Sequence, residues 1–111
     1  FPPNARNAYD QVFVDDLVPV SLRTLFLAPA FGRKLFFVSV FGGVGDTVEV
    51  IGRWYRSPAE FFDTVLATAV VPASGLLTLP PIENQLFHAV KVTIDNKVLN
   101  ISLRARLRME D

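Results

Sequence analysis

The chain has 111 residues, no cysteine, 11 Lys and Arg against 11 Asp and Glu, and a hydrophobic fraction of 50% that includes ten Phe. That length suits one domain with a real core. The charge balance argues against a nucleic-acid partner, the missing thiols exclude a disulfide framework and a Cys-based zinc site, and no apolar run approaches the ~20 residues of a membrane-spanning helix.

Residues 1–10, FPPNARNAYD, are predicted to be an extended N-terminal arm, with Phe1, Pro2 and Pro3 placed to reach a neighbouring subunit. Residues 11–111 are predicted to form a single domain. Its dominant period is two. Gln11 to Asp15 is a short strand, and Val20 to Ala28 follows with Val20, Leu22, Thr24 and Phe26 on one face. Arg33 to Phe41 is nearly all apolar and reads as a central strand covered on both faces. The glycines at 42, 43 and 45 supply a tight turn. GGVGDT resembles part of a dinucleotide loop, but it lacks the third glycine and the helix that would present free amides to a phosphate.

Asp46 to Arg56 alternates, with Val48, Val50, Gly52 and Trp54 on one face and Glu49, Ile51, Arg53 and Tyr55 on the other. This predicts Trp54 in the core and Tyr55 at the surface. Ser57, Pro58 and Glu60 match a helix-capping pattern, so at most one short helical turn is expected near residues 58–61. The β-branched residues beyond it favour a strand from Asp63 to Val71. Leu76 to Leu79 is a short strand between loops. The segments LFHAVKVTI and KVLNISLRARL are separated by Asp95 and Asn96, which predicts a two-residue hairpin. About eight strands with turn signals between them indicate an all-β fold, an antiparallel β-sandwich or jelly roll.

Candidate chemistry is sparse. His88, the one histidine, lies among apolar neighbours with no nucleophile elbow in the chain; a small hydrolase would have to use it. One histidine without cysteine disfavours a transition metal, and Asp10, Asp15 and Asp16 are the oxygen ligands a calcium ion would find. Glu49, Glu60 and Asp63 are the carboxylates a glycosidase would need, with no spacing that demands it. Asn100-Ile101-Ser102 matches a glycosylation acceptor inside a predicted strand. No cofactor is expected. Tyr55 beside Arg53 is a possible glycan contact, which would make the chain a carbohydrate-binding module.

The last strand carries the most informative pattern. Ile101, Leu103, Ala105 and Leu107 alternate with Ser102, Arg104, Arg106 and Arg108. Same-face residues on a strand lie roughly 6.5–7 Å apart, so three guanidinium groups must pair with acids, extend into water, or meet a partner. Arginine forks bind carboxylates bidentately and are enriched at protein contacts. The Phe-rich composition, the arm and the arginine row together predict a non-enzymatic subunit that self-associates or docks on a larger assembly. By analogy of architecture alone, that assembly is a bacteriophage capsid, decoration or tail component, found in a virion or other extracellular particle.

Overall fold

A computed structural model describes residues 9–15, 22–84, 86–97 and 101–110. They form strands β1 (Tyr9–Asp15), β2 (Leu22–Pro29), β3 (Leu35–Phe41), β4 (Thr47–Ser57), β5 (Glu60–Val70), β6 (Leu76–Thr78), β7 (Ile82–Glu83), β8 (Ala89–Asp95) and β9 (Leu103–Glu110), with no helix among them. One sheet has the order β1-β9-β3-β6, with β7 also on β3; the other has the order β2-β8-β4-β5. All pairings are antiparallel. The fold is therefore the expected all-β sandwich, with nine strands in place of about eight. The additional strand is β7, inside a stretch read as loop.

The pairing pattern is that of one long hairpin rolled up. β6 and β7 flank the two ends of β3, against Ser39–Phe41 and Leu35–Phe36. Together they act as one strand, broken at Pro80 and Pro81, which offer no N–H to the ladder. Counted so, β1 pairs β9, β2 pairs β8, β3 pairs β6/β7 and β4 pairs β5. Rolling then adds β9 to β3 and β8 to β4. This is jelly-roll connectivity. β1 faces β2 across the sandwich, as the Phe13–Phe26 edge contact at 6.5 Å and the Asp15–Arg23 ion pair at 2.7 Å show. β5 accordingly faces the short β6 and β7.

Alternation builds the core. Phe36, Val38 and Val40 of β3 face Val48 and Val50 of β4, all at most 2% exposed. Each such side chain contributes roughly 1.5–3 kcal/mol by leaving water. The outer face of β3 is not covered by a further layer: Phe37 and Ser39 are half-buried and Phe41 is 50% exposed. In β2 a bulge at Leu25 shifts the register between Thr24 and Phe26 and reverses which residues point inward. Leu25 and Phe26 are both buried, while Leu22, expected beside Phe26, is 68% exposed. Arg23, opposite the buried Ile94, turns inward instead.

Two expected hairpins are crossovers between sheets. β3 and β4 lie in different sheets, so Gly42–Asp46 spans the sandwich. β8 and β9 also lie in different sheets, so Asp95 and Asn96 begin a crossover. The buried carboxylate of Asp46 ties these connections together. It accepts hydrogen bonds from the Gly43 amide at 3.1 Å, the Asn96 side-chain amide at 2.9 Å and the Lys97 amide at 2.6 Å. The Asp46 carbonyl accepts from Val71, and Gly45 (φ 92°) donates to the Val71 carbonyl, which brings in the β5–β6 connection. The one hairpin between consecutive strands with a two-residue turn is β4–β5. Pro58 and Ala59 form that turn, with Ser57 opposite Glu60, so the expected helical turn at 58–61 is absent. Phe61 and Phe62 pair across the ladder with Tyr55 and Trp54, which outweighs the capping signal.

Asp46→Ala should lower unfolding stability by on the order of 3 kcal/mol, because three donors lose a charged acceptor in a dry site. Urea unfolding checks this: an unchanged midpoint would show that the crossovers hold without the carboxylate.

Candidate assembly surfaces

The outer face of the β1-β9-β3-β6 sheet displays the arginine row. Leu103, Ala105, Leu107 and Met109 are buried on the inner side, which forces Arg104, Arg106 and Arg108 outward as alternation predicted. β1 begins at Tyr9, inside the expected arm, and sets Asp10, Val12 and Val14 opposite Arg108, Arg106 and Arg104. β3 sets Phe37, Ser39 and Phe41 on their other side. Arg106 grips Asp10 bidentately, with Nε to Oδ1 at 2.8 Å. That hydrogen bond holds the Asp10 carboxyl below its ordinary range and raises the guanidinium. Arg108 lies 4.5 Å from the Phe37 ring centre and 3.4 Å from Glu110. Arg104 has no ion pair among the described residues. Its surroundings are apolar: Val12, Val14, Phe41 and Leu76 are each at least 50% exposed. Two of the three arginines are thus paired within the chain, and the third stands over an open apolar strip. Phe1, Pro2, Pro3, Asp16 and Asn100 lie outside the described residues.

A second surface lies at the end of the sandwich where β2 leads to β3 and β7 leads to β8. Phe31 (φ 49°) and Leu86 (φ 68°) hold left-handed backbone, rare for bulky residues. They are 74% and 87% exposed. They border an open groove of about 730 Å³ that Arg33, Lys34, Phe87 and His88 also line. Asn84 braces the two loops, giving its side-chain amide to the Arg33 carbonyl at 2.7 Å and accepting from the Phe87 amide at 2.8 Å. Its position in PPIENQ gave only a loop signal.

The β4–β5 hairpin continues this surface. Val48, Val50, Gly52 and Trp54 do share the inner face, but β3, which faces β4, has seven residues against eleven, and Trp54 near the far end of β4 is 40% exposed. This corrects the expectation that it sits in the core. Phe87 covers Gly52 so closely that a Cβ there would lie 2.6 Å from the ring. Trp54 stacks on Phe87 at 4.7 Å and donates its indole N–H to the Leu86 carbonyl. Phe62, opposite Trp54, is 59% exposed. Phe31, Leu86, Trp54 and Phe62 therefore form an exposed apolar patch around the buried Phe87.

On the hairpin's outer face Arg53 is buried, at 7% exposure. Its fork meets Asp63 at 2.8 and 3.1 Å, and its guanidinium lies 3.7 Å from the Phe61 ring centre. The Arg53 hydrogen bond lowers the Asp63 pKa against the opposing effect of burial, and Asp63 in turn raises that of Arg53. Tyr55 is half-buried, its ring nearly parallel to His88 at 6.3 Å and edge-on to Phe61 at 6.1 Å. Arg53 and Tyr55, singled out as a glycan contact, are thus neighbours, with the Arg53 fork committed to Asp63. His88 Nδ1 accepts the Tyr55 amide at 2.8 Å, and its backbone joins Arg53 and Ala30. Among the described residues, no carboxylate or hydroxyl bonds its ring.

No protein-family model matches the chain, and neither does any curated protein. Among solved structures, it aligns over 94% of its length with 88% of a protein described by the words "Bacillus endospore appendages form a novel family of disulfide-linked pili". The identity is 11% and the TM-score 0.40, an overlap too loose to bear on function.

Asp10 and Asp63 stabilise the fold fully above their ordinary pKa of 3.8, and this contribution is lost as pH falls through their lower folded values. Thermal melts should weaken below about pH 4, and Asp10→Asn with Asp63→Asn should flatten that decline. Gly52→Ala should displace Phe87 and cost roughly 1–3 kcal/mol by overpacking. Trp54, the one tryptophan, should report it as a red-shifted emission maximum.

Proposed function

We propose that this chain is a non-enzymatic structural subunit that associates with further copies of itself. The observation that carries the reading is the apolar patch of Phe31, Leu86, Trp54 and Phe62, each at least 40% exposed, around the buried Phe87. Monomeric proteins rarely show large contiguous apolar patches, and those that occur mark contact sites. The strip around Arg104 is a second such site. An unpaired guanidinium beside Val14 and Phe41 offers a carboxylate-binding fork in an apolar setting, the composition found at the centre of protein contacts. Arg106 and Arg108 flank it and set register. A coat, decoration or tail position in a bacteriophage particle fits this role by analogy of architecture alone.

Light scattering on the full chain across a micromolar concentration series should show a discrete oligomer or a filament. Arg104→Glu should weaken association about tenfold or more, near 1.4 kcal/mol, with the melting temperature nearly unchanged. A monomer throughout the series would overturn self-association.

A further inference from the structure

Resting on that assembly reading, we propose that β5 is a seam: β5 of one copy pairs antiparallel with β5 of a second, joining two four-stranded sheets into one of eight strands.

The edges of the two sheets differ in how they are guarded. β2 is eight residues long and ends at Pro29. β6 and β7 are three and two residues long and are split by prolines. β1 is seven residues long, four fewer than β5, and its Asp10 and Asp15 are held by Arg106 and Arg23. β5 is an edge strand of 11 residues without Pro, Lys or Arg. Phe61, Phe62, Val65 and Val70 along it are 47–59% exposed. Long apolar edges with free N–H and C=O groups are templates for strand addition, and proteins normally blunt them with charge, proline or brevity. Asp63 does not serve as such a guard, because Arg53 of the same chain holds it.

Charge selects the occupant and its direction. Both acids of β5, Glu60 and Asp63, fall in its first four residues, and the remainder is uncharged. A parallel, in-register copy would place each acid beside its twin about 4.8 Å away. An antiparallel copy about an axis at Val65, with Leu66 bulged out of each strand, places Asp63 opposite Thr68, Phe62 opposite Ala69 and Phe61 opposite Val70. The two Asp63 carboxylates then stand four residues apart along the strands, about 14 Å, beyond the screening length of ~8 Å in physiological salt. The bulge at Leu66 divides β5 beside this axis, so the acidic segment of each copy meets the uncharged segment of the other. Phe62 then meets Ala69 on the inner face and Phe61 meets Val70 on the outer.

The chain has no cysteine, so a single introduced thiol reports cleanly. Residues opposite across an antiparallel pair have Cα atoms ~4.5–5.5 Å apart, within disulfide reach. Under mild oxidation of the full chain, Val65→Cys should give a covalent dimer, and Val44→Cys, at the other end of β4, should not. Separately, Thr64→Lys with Thr68→Lys should weaken dimerisation at least tenfold while circular dichroism stays native. Equal cross-linking of both cysteine variants would overturn the seam. So would an oligomer that persists with neither Val65→Cys cross-linking nor lysine sensitivity, and this result would leave the assembly reading standing. A chain monomeric in every form would overturn both.

Discussion

One carboxylate fixes how the two sheets are joined. Asp46 is buried where three connections leave the sandwich at the same end, and its oxygens take up amide donors from two of them. Crossovers between sheets carry backbone groups that no ladder satisfies, and a buried donor without an acceptor is expensive. An ionised acceptor with several lone pairs meets this need compactly. Gly42 adds to the effect by keeping the chain thin where it passes Leu103 and Asp46; a Cβ there would come within 3.0 Å of Leu103. With this end tied, the free variation in the molecule is displaced to the other end, where Phe31, Leu86 and the β4–β5 turn lie.

The asymmetry of the sandwich follows from strand length. β4 and β5 run 11 residues each, whereas the strand pair facing β5 supplies five across a proline break. Inner-face residues near the hairpin turn have no opposing sheet, and the loop residue Phe87 provides partial cover. The Cα radius of gyration is 14.3 Å, against ~13 Å expected for a globular chain of this length. Aromatic residues on both faces of the hairpin are the chemical result. Inside, Trp54 and Phe62 extend beyond the core; outside, Tyr55 and Phe61 enclose the Arg53–Asp63 pair. The strain at Phe31 and Leu86 belongs to the same region, as expected where a surface is kept for contact and not for stability.

Period-two alternation made the sandwich and most strand positions legible from residues alone. The outward placement of Arg104, Arg106 and Arg108 followed from the same rule, because β9 has no bulge and its inner residues are strongly apolar. Where the rule failed, the cause was local and nonperiodic. The Leu25 bulge adds one residue to β2, and no composition signal marks it. Trp54 obeyed alternation but outran its cover, which depends on the length of a strand in the opposing sheet. Turn chemistry at Asp95–Asn96 and Gly42–Gly45 indicated where the chain turns, not which sheet it turns into. Asp46 and Asn84 were missed because a polar residue in a turn usually faces water. Their partners lie 50 and 51 residues away.

The rolled arrangement also governs how the polypeptide reaches its native state. β1 pairs with β9, and the Asp10–Arg106 bond closes a separation of 96 residues. Only the β4–β5 turn brings neighbouring strands together, so nearly every other ladder must await long-range closure. Topologies of this kind assemble on the millisecond-to-second scale, far more slowly than helical bundles. The β4–β5 hairpin closes over two residues and so carries the smallest loop-closure cost, whereas the sheet that faces it depends on contacts distant in sequence.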